Sequence, residues 1–223
     1  MVFEYEILKW LHIIAIAYWL GGEWGVFNAS RFVTDAKLSL EERQRHMETS
    51  YRIDILPRTG IIFLLPLGLH MGNILGVQPL GGPWIVGMWI FVACWLSLTW
   101  TAYAKRGTDL GVTLTKIDEA IRYVVIPALM ITALMSFFTG GPILANWYAA
   151  KMFIYALMLV IGLFLRYIMR DWVTMFRKLA VGPDAAIEEK LDRSLARGRI
   201  LAYFYWIGIG SVAFLGVVKR IPF

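Results

Sequence analysis

Six stretches of about 20 residues, at 7–29, 54–75, 83–104, 121–141, 147–169 and 200–218, are long and apolar enough for each to cross the hydrocarbon core of a bilayer as a helix. Inside lipid every backbone N–H and C=O must be satisfied within its own segment, so these stretches are confined to α-helix. The expected fold is therefore an all-α polytopic membrane helix bundle of six transmembrane helices, a single integral membrane domain over 1–223. The polar connections, about 31–53 and 170–199 at their longest, leave no room for a separate soluble domain.

The composition agrees: 59% of residues are hydrophobic, with ten Trp and ten Tyr, a mixture far from that of soluble domains. Glu4 and Glu6 precede the first apolar run where a cleavable signal would carry basic residues, so that helix is expected to stay. Cys94 is the one cysteine, which excludes a disulfide framework, a zinc knuckle and a C-x-x-C-H haem attachment.

The net charge of +6 falls unevenly. Arg31, Lys37, Arg43, Arg45 and Arg52 fill one connection, Lys105, Arg106, Lys116 and Arg122 another, and Arg170 to Arg199 a third, while loops 76–82 and 142–146 carry no charge. By the positive-inside rule the three basic connections face the cytoplasm of a bacterial inner (plasma) membrane, and both termini are periplasmic. The basic excess thus serves topology and anionic membrane lipid, not nucleic acid. A capping-box pattern, Ser39-Leu40-Glu41-Glu42, predicts a short surface helix through Tyr51, and Gly182-Pro183-Asp184 predicts an interfacial helix starting near Pro183.

The first span carries an imidazole and a carboxylate into the bilayer. His12 and Glu23 are eleven residues apart, which at about 100° per residue puts them on one helix face with Trp19 between. An intramembrane ionisable group is expensive and needs a partner or a function. His70 lies in the second span, which runs the opposite way. Counted from the outer ends of their helices, His12 and His70 both sit roughly 8 Å deep. Two level imidazoles on adjacent antiparallel helices are the geometry that holds one haem b through two axial ligands, and Gly68, Gly72, Ala15 and Ala17 supply small residues for a macrocycle to pack on. The alternative is two structural histidines. His46 reads as a solvated imidazole.

Lys151, four residues into the fifth span, either snorkels to the interface or meets haem propionates or an anionic substrate at that level. Trp10, Trp19, Trp84 and Trp147 either line such a pocket or form an interfacial belt. Toward the cytoplasm, Glu23, Arg58 and Asp54 are expected to neutralise one another in an ion-pair network between helices one and two, with a weaker reading of Glu23 as a proton path; Arg166 reads as a snorkelling side chain. Met71 beside His70 raises Cu(I), although the methionines do not cluster. Pro57 and Pro127, Gly81-Gly82-Pro83 and Gly140-Gly141-Pro142, and Trp84 and Trp147 recur at matching offsets, which suggests an internal duplication of a hairpin, helices 2–3 and 4–5.

The segment Leu8-Lys9-Trp10-Leu11-His12-Ile13-Ile14-Ala15-Ile16-Ala17-Tyr18-Trp19-Leu20-Gly21-Gly22, with Arg31-Phe32 beyond, resembles the opening helix of the group that includes HemJ-type protoporphyrinogen oxidases, CopD-type membrane proteins and the membrane domain of PuuD-type urate oxidases. Trp147-Tyr148-Ala149-Ala150-Lys151 resembles the Trp-x-x-x-Lys segment of the HemJ-type proteins. The resemblance implies haem b on the first-helix histidine, His12, and a functional lysine, Lys151; for CopD it implies copper handling. The expectation is a redox protein that passes electrons between a partner protein or small substrate and the quinone pool, as an oxidoreductase or as a subunit or homo-oligomer. The rivals are a protoporphyrinogen oxidase of the HemJ type, a copper or solute transporter without haem, and a structural subunit.

Overall fold

The computed structural model describes residues 2–220, in which six long helices follow one another and no strand occurs among the described residues. They are α1 (Val2–Ser30), α2 (Leu40–Ile74), α3 (Pro83–Ala104), α4 (Asp109–Thr139), α5 (Asn146–Leu179) and α6 (Ala185–Val218), with one short 3-10 turn at Arg31–Val33. Helices α2 to α6 are long and apolar enough to cross a membrane. The chain is thus a multi-pass helical membrane bundle. α1, at 29 residues, has the length, but Lys9, His12, Glu23 and its tryptophans lower its apolarity below that of the other five.

Successive helices run in opposite directions, so the connections fall at two ends. Arg43 of α2 pairs with Glu188 of α6, Tyr51 donates to the Met169 carbonyl of α5, and Arg106 pairs with Glu48, which gathers the three basic connections at one end. At the opposite end the Leu144 amide donates to the Val77 carbonyl and Lys219 meets Tyr5, which joins the uncharged loops and the termini. Around the bundle, α1 packs along α2, α2 on α3, α3 on α4, α4 on α5 and α5 on α6, while α6 returns to α1 and α2 touches α5. Each helix buries one stripe and turns the rest outward; α3 buries Val92, Trp95, Thr99 and Ala102 and exposes Trp84, Val86 and Ile90.

The two surface helices expected at the basic end are instead the continuations of spans. Ser39 caps α2 through a complete capping box with Glu42, and the helix then runs unbroken for 35 residues to Ile74, about 52 Å at 1.5 Å per residue. Asp184 caps α6 by accepting hydrogen bonds from the Ala186 and Ile187 amides. Both helices outrun a bilayer core of about 30 Å. Their projecting ends pack with the end of α5 around Val33, Trp172, Met175, Phe176, Leu191 and Leu195, a second apolar core that replaces an interfacial location with helix-on-helix packing. Pro57 and Pro127 likewise lie inside α2 and α4 and do not open them.

Two glycines set how closely α1 meets α2. A Cβ at Gly60 would stand 2.7 Å from the Ala15 carbonyl oxygen and 3.0 Å from the Trp19 nitrogen, and one at Gly22 would strike the Pro57 ring. Backbone approaches backbone there, as at small-residue crossings of membrane helices. Trp19 is consequently sealed in the middle of the bundle, 0% exposed, between α1, α2, α5 and α6.

Candidate functional site

Near the end opposite the basic connections, α1, α2, α5 and α6 leave a cavity of about 100 Å³. His12 enters it from α1, Gly68, Met71 and Gly72 from α2, Trp147, Tyr148 and Lys151 from α5, and Gly216 and Lys219 from the end of α6, with Tyr5 beside Lys219. The α2 wall is low because Gly68 and Gly72 are one turn apart on one face. A Cβ at Gly68 would be 3.8 Å from His12 Cε1, and one at Gly72 would collide with the Tyr148 ring at 2.6 Å from its hydroxyl. That hydroxyl donates to the Gly68 carbonyl at 3.0 Å and ties α5 to α2 across the cavity floor.

The electrostatics are one-sided. Among the described residues no carboxylate lines the cavity, whereas Lys151 and Lys219 both do, and neither makes an ion pair. The Lys151 ammonium lies over the Gly216 backbone, 2.7 Å from where a side chain would begin. His12 is buried and its Nδ1 has no hydrogen-bond partner. A buried orphan nitrogen and two lysines that make no ion pair among the described residues, in otherwise apolar walls, can accommodate an anionic group.

His70 is not in this cavity. Its Nε2 is 3.3 Å from a Glu4 carboxylate oxygen, and Trp89 Nε1 donates to its Nδ1 at 3.4 Å. The expected opposition of His12 and His70 is corrected by azimuth. Gly68 faces His12, and two residues along an α-helix are about 200° of rotation, so His70 points away from the cavity, to Glu4 near the start of α1 and Trp89 of α3, while Gly72 meets Tyr148 of α5. Level was read from the helix ends, and level alone does not fix the direction of a side chain. His46 stacks on Phe32 at the basic end. Among the described residues no group of three or more His, Cys, Asp or Glu side chains gathers to hold a metal ion.

Of the expected ion-pair network, Arg58 and Asp54 do pair. Glu23 lines the same cavity, an internal space of about 70 Å³ shared with Arg122, Arg166, Arg199 and Tyr205, yet it pairs with neither. The strongest polar cluster of the bundle is a different one. Asp118 of α4, fully buried, accepts hydrogen bonds from Trp95 Nε1 at 2.7 Å, Thr99 Oγ1 at 3.0 Å and Arg122 Nε at 3.3 Å, and it pairs with Arg166. Arg166 therefore does not snorkel; it crosses from α5 to α4 inside the bundle. The i,i+4 pair Asp118 and Arg122, at the start of a span, was the available signal for this cluster. Of the four tryptophans, Trp19 and Trp147 line the cavity, and Trp10 and Trp84 are exposed like belt residues. Comparison of the chain with family models, with curated proteins and with solved structures finds no match in any of the three.

Proposed function

We propose that this chain is a redox protein of the bacterial inner membrane that crosses it six times, α1 included, with its termini periplasmic, and that it holds one haem b in the His12 cavity. The basic end then faces the cytoplasm. The observation that carries the reading is the buried His12 imidazole, its Nδ1 without a partner, sharing with Lys151 and Lys219 a cavity that no carboxylate lines among the described residues. The donor set fits the group: His12 would hold it through its imidazole, the two ammoniums would match a pair of propionates, and Gly68 and Gly72 leave the α2 wall without side chains. It supports the reading that the two segments resembling HemJ-type proteins contribute His12 and Lys151 to the same cavity.

Bound haem would supply one-electron chemistry. The chain's own residues orient and screen it. Lys151 fixes the charged edge, Tyr148 braces α5 on α2, and Trp19 closes the inner side against water. With His70 engaged by Glu4 and Trp89, His12 is the one imidazole in the cavity. With a single imidazole available to hold the group, the balance moves from pure electron transfer toward an oxidoreductase acting on a small substrate, with electrons passed to the quinone pool or a partner.

A second reading is favoured by volume. About 100 Å³ accommodates a few waters or a small anion without movement, whereas a macrocycle requires the α2 and α5 walls to part. On that reading the chain binds or moves a small anionic solute and holds no haem.

The absorption spectrum of the purified protein separates the two. The haem reading expects a Soret band and a sharp reduced α-band, lost in His12→Ala and weakened in Lys151→Ala. Folded protein with neither iron nor chromophore would leave the solute reading.

A further inference from the structure

The His12 cavity is one of two stacked along a single stripe of α1. Trp19 follows His12 by seven residues and Glu23 follows Trp19 by four, positions that share a helix face, so Glu23 lies about 6 Å beyond Trp19 along the axis. Trp19 borders the His12 cavity, and Tyr205 borders the Glu23 cavity. What separates the two is one aromatic layer. Trp19 meets Tyr205 edge-on at 5.5 Å between centroids and Tyr155 edge-on at 6.4 Å.

On its other side the Glu23 cavity is bounded by charged side chains. It shares Asp54, Arg58 and Arg166 with a vestibule of about 530 Å³ that reaches the basic end between α2, α3, α4 and α5, past Glu48, Arg106 and Lys116. Asp54, Arg58 and Arg166 form the common wall of the two spaces, so one layer of charged side chains lies between Glu23 and the vestibule at the basic end, and the aromatic layer lies on the far side of Glu23.

Glu23 differs from the other acidic groups lining these two spaces. Asp54 is paired with Arg58, Asp118 with Arg122 and Arg166, Glu119 with Arg170, and Glu48 with Arg52 and Arg106. Glu23 faces Asp54 and Arg58 from α2, Arg122 from α4, Arg166 from α5, and Arg199 and Tyr205 from α6, and it makes no ion pair with any of them. A carboxylate kept only for structure would be paired, because an unpaired charge in the bilayer interior is costly while a protonated carboxyl is not.

We propose that Glu23 is a proton-loading site, filled from the basic end through the vestibule, that delivers protons toward the His12 cavity across the Trp19, Tyr155 and Tyr205 layer. Loading stands on the geometry above; delivery rests on the redox reading of the His12 cavity. In each delivery the O–H bond of the Glu23 carboxyl breaks, and the proton would pass to the group held by His12 and Lys151 as that group gains one electron from the small substrate, and would leave it outward when the electron goes on to the quinone pool or partner. The carboxylate left behind then takes a proton from vestibule water.

The test has two arms on the full-length protein. Dicyclohexylcarbodiimide adds to protonated carboxyls in water-poor surroundings, and peptide mapping locates the adduct. The expected result is labelling of Glu23 at neutral pH that declines as pH rises and is absent in Glu23→Gln, with paired Asp54 and Asp118 unlabelled. In the second arm, the midpoint potential of the bound chromophore is expected to fall with rising pH in the wild type and in Glu23→Asp, and to lose that slope in Glu23→Gln. Unlabelled Glu23 in folded protein, or a slope untouched by Glu23→Gln, overturns the proposal. A preparation without chromophore refutes the redox reading of the outer cavity, and labelling then decides proton loading by itself.

Discussion

Replacing Asp118 by Asn changes one oxygen for nitrogen in the middle of the polar cluster that joins α3, α4 and α5. The side chains of Asp118, Arg122 and Arg166 are 2%, 4% and 8% exposed, so solvent screens none of them. Asn keeps an acceptor for the Trp95 N–H but removes the charge that two guanidiniums share. Arg122 Nη2 already lacks a partner, so no spare acceptor stands nearby. Breaking a buried ion pair from one side costs about 3–5 kcal/mol. A domain's net stability is typically about 5–15 kcal/mol, so Asp118→Asn should remove a large share of it. The assay is thermal or denaturant unfolding in detergent micelles, followed by near-UV circular dichroism. Replacing all three residues by Leu or Met removes both the charges and their desolvation, and should recover most of the loss. The reasoning fails if Asp118→Asn lies within about 1 kcal/mol of the wild type, or if the apolar triple variant is worse than the single one.

Three further outcomes follow from the same geometry. Gly60→Ala places a methyl 2.7 Å from the Ala15 carbonyl oxygen and should cost about 1–3 kcal/mol through separation of α1 from α2, whereas Gly21→Ala, with nothing within 4 Å, should be neutral or stabilising; equal melting points for the two would contradict the close crossing. Arg43 holds Glu188 below the usual carboxylate range through its paired hydrogen bonds, at 2.8 Å and 2.6 Å, so this contribution is present above the ordinary Glu value of 4.5 and is lost as pH falls below it through the depressed one. Hydrogen exchange of residues 185–199 should therefore quicken on acidification past that point in the wild type, while Glu188→Gln should exchange faster already at neutral pH and respond little to acid. His70→Phe should retain any chromophore bound in the His12 cavity and cost about 1 kcal/mol for the lost Trp89 hydrogen bond; loss of the spectrum in this variant, with the fold intact, would restore His70 as a ligand.

What could be read from the chain depends on which coordinate of a helix is asked for. Position along the axis is legible, because the rise per residue is constant: the order of the elements, the basic end, and the common level of His12 and Lys151 all follow from counting. Direction around the axis depends on which neighbour each face meets, and in a lipid-facing bundle both faces are apolar, so hydropathy gives little help. The Asp118 cluster was hidden for a related reason. Lys116, Asp118, Glu119 and Arg122 together look like a charged connection, and only the depth of Trp95, Thr99, Arg166 and Arg170 on adjacent helices turns three of them, Asp118, Glu119 and Arg122, inward. Around α2 a marker of direction was present in the glycines. A helix face without side chains is where a neighbour can come close, and Gly60, Gly68 and Gly72 follow one another at eight and four residues, a single stripe toward α1 and α5. His70 lies midway between the last two in sequence and so points away from that stripe, to Glu4 near the start of α1 and to Trp89 of α3. The small residues that flank His70 in sequence instead lower the α2 wall beside His12 and Tyr148.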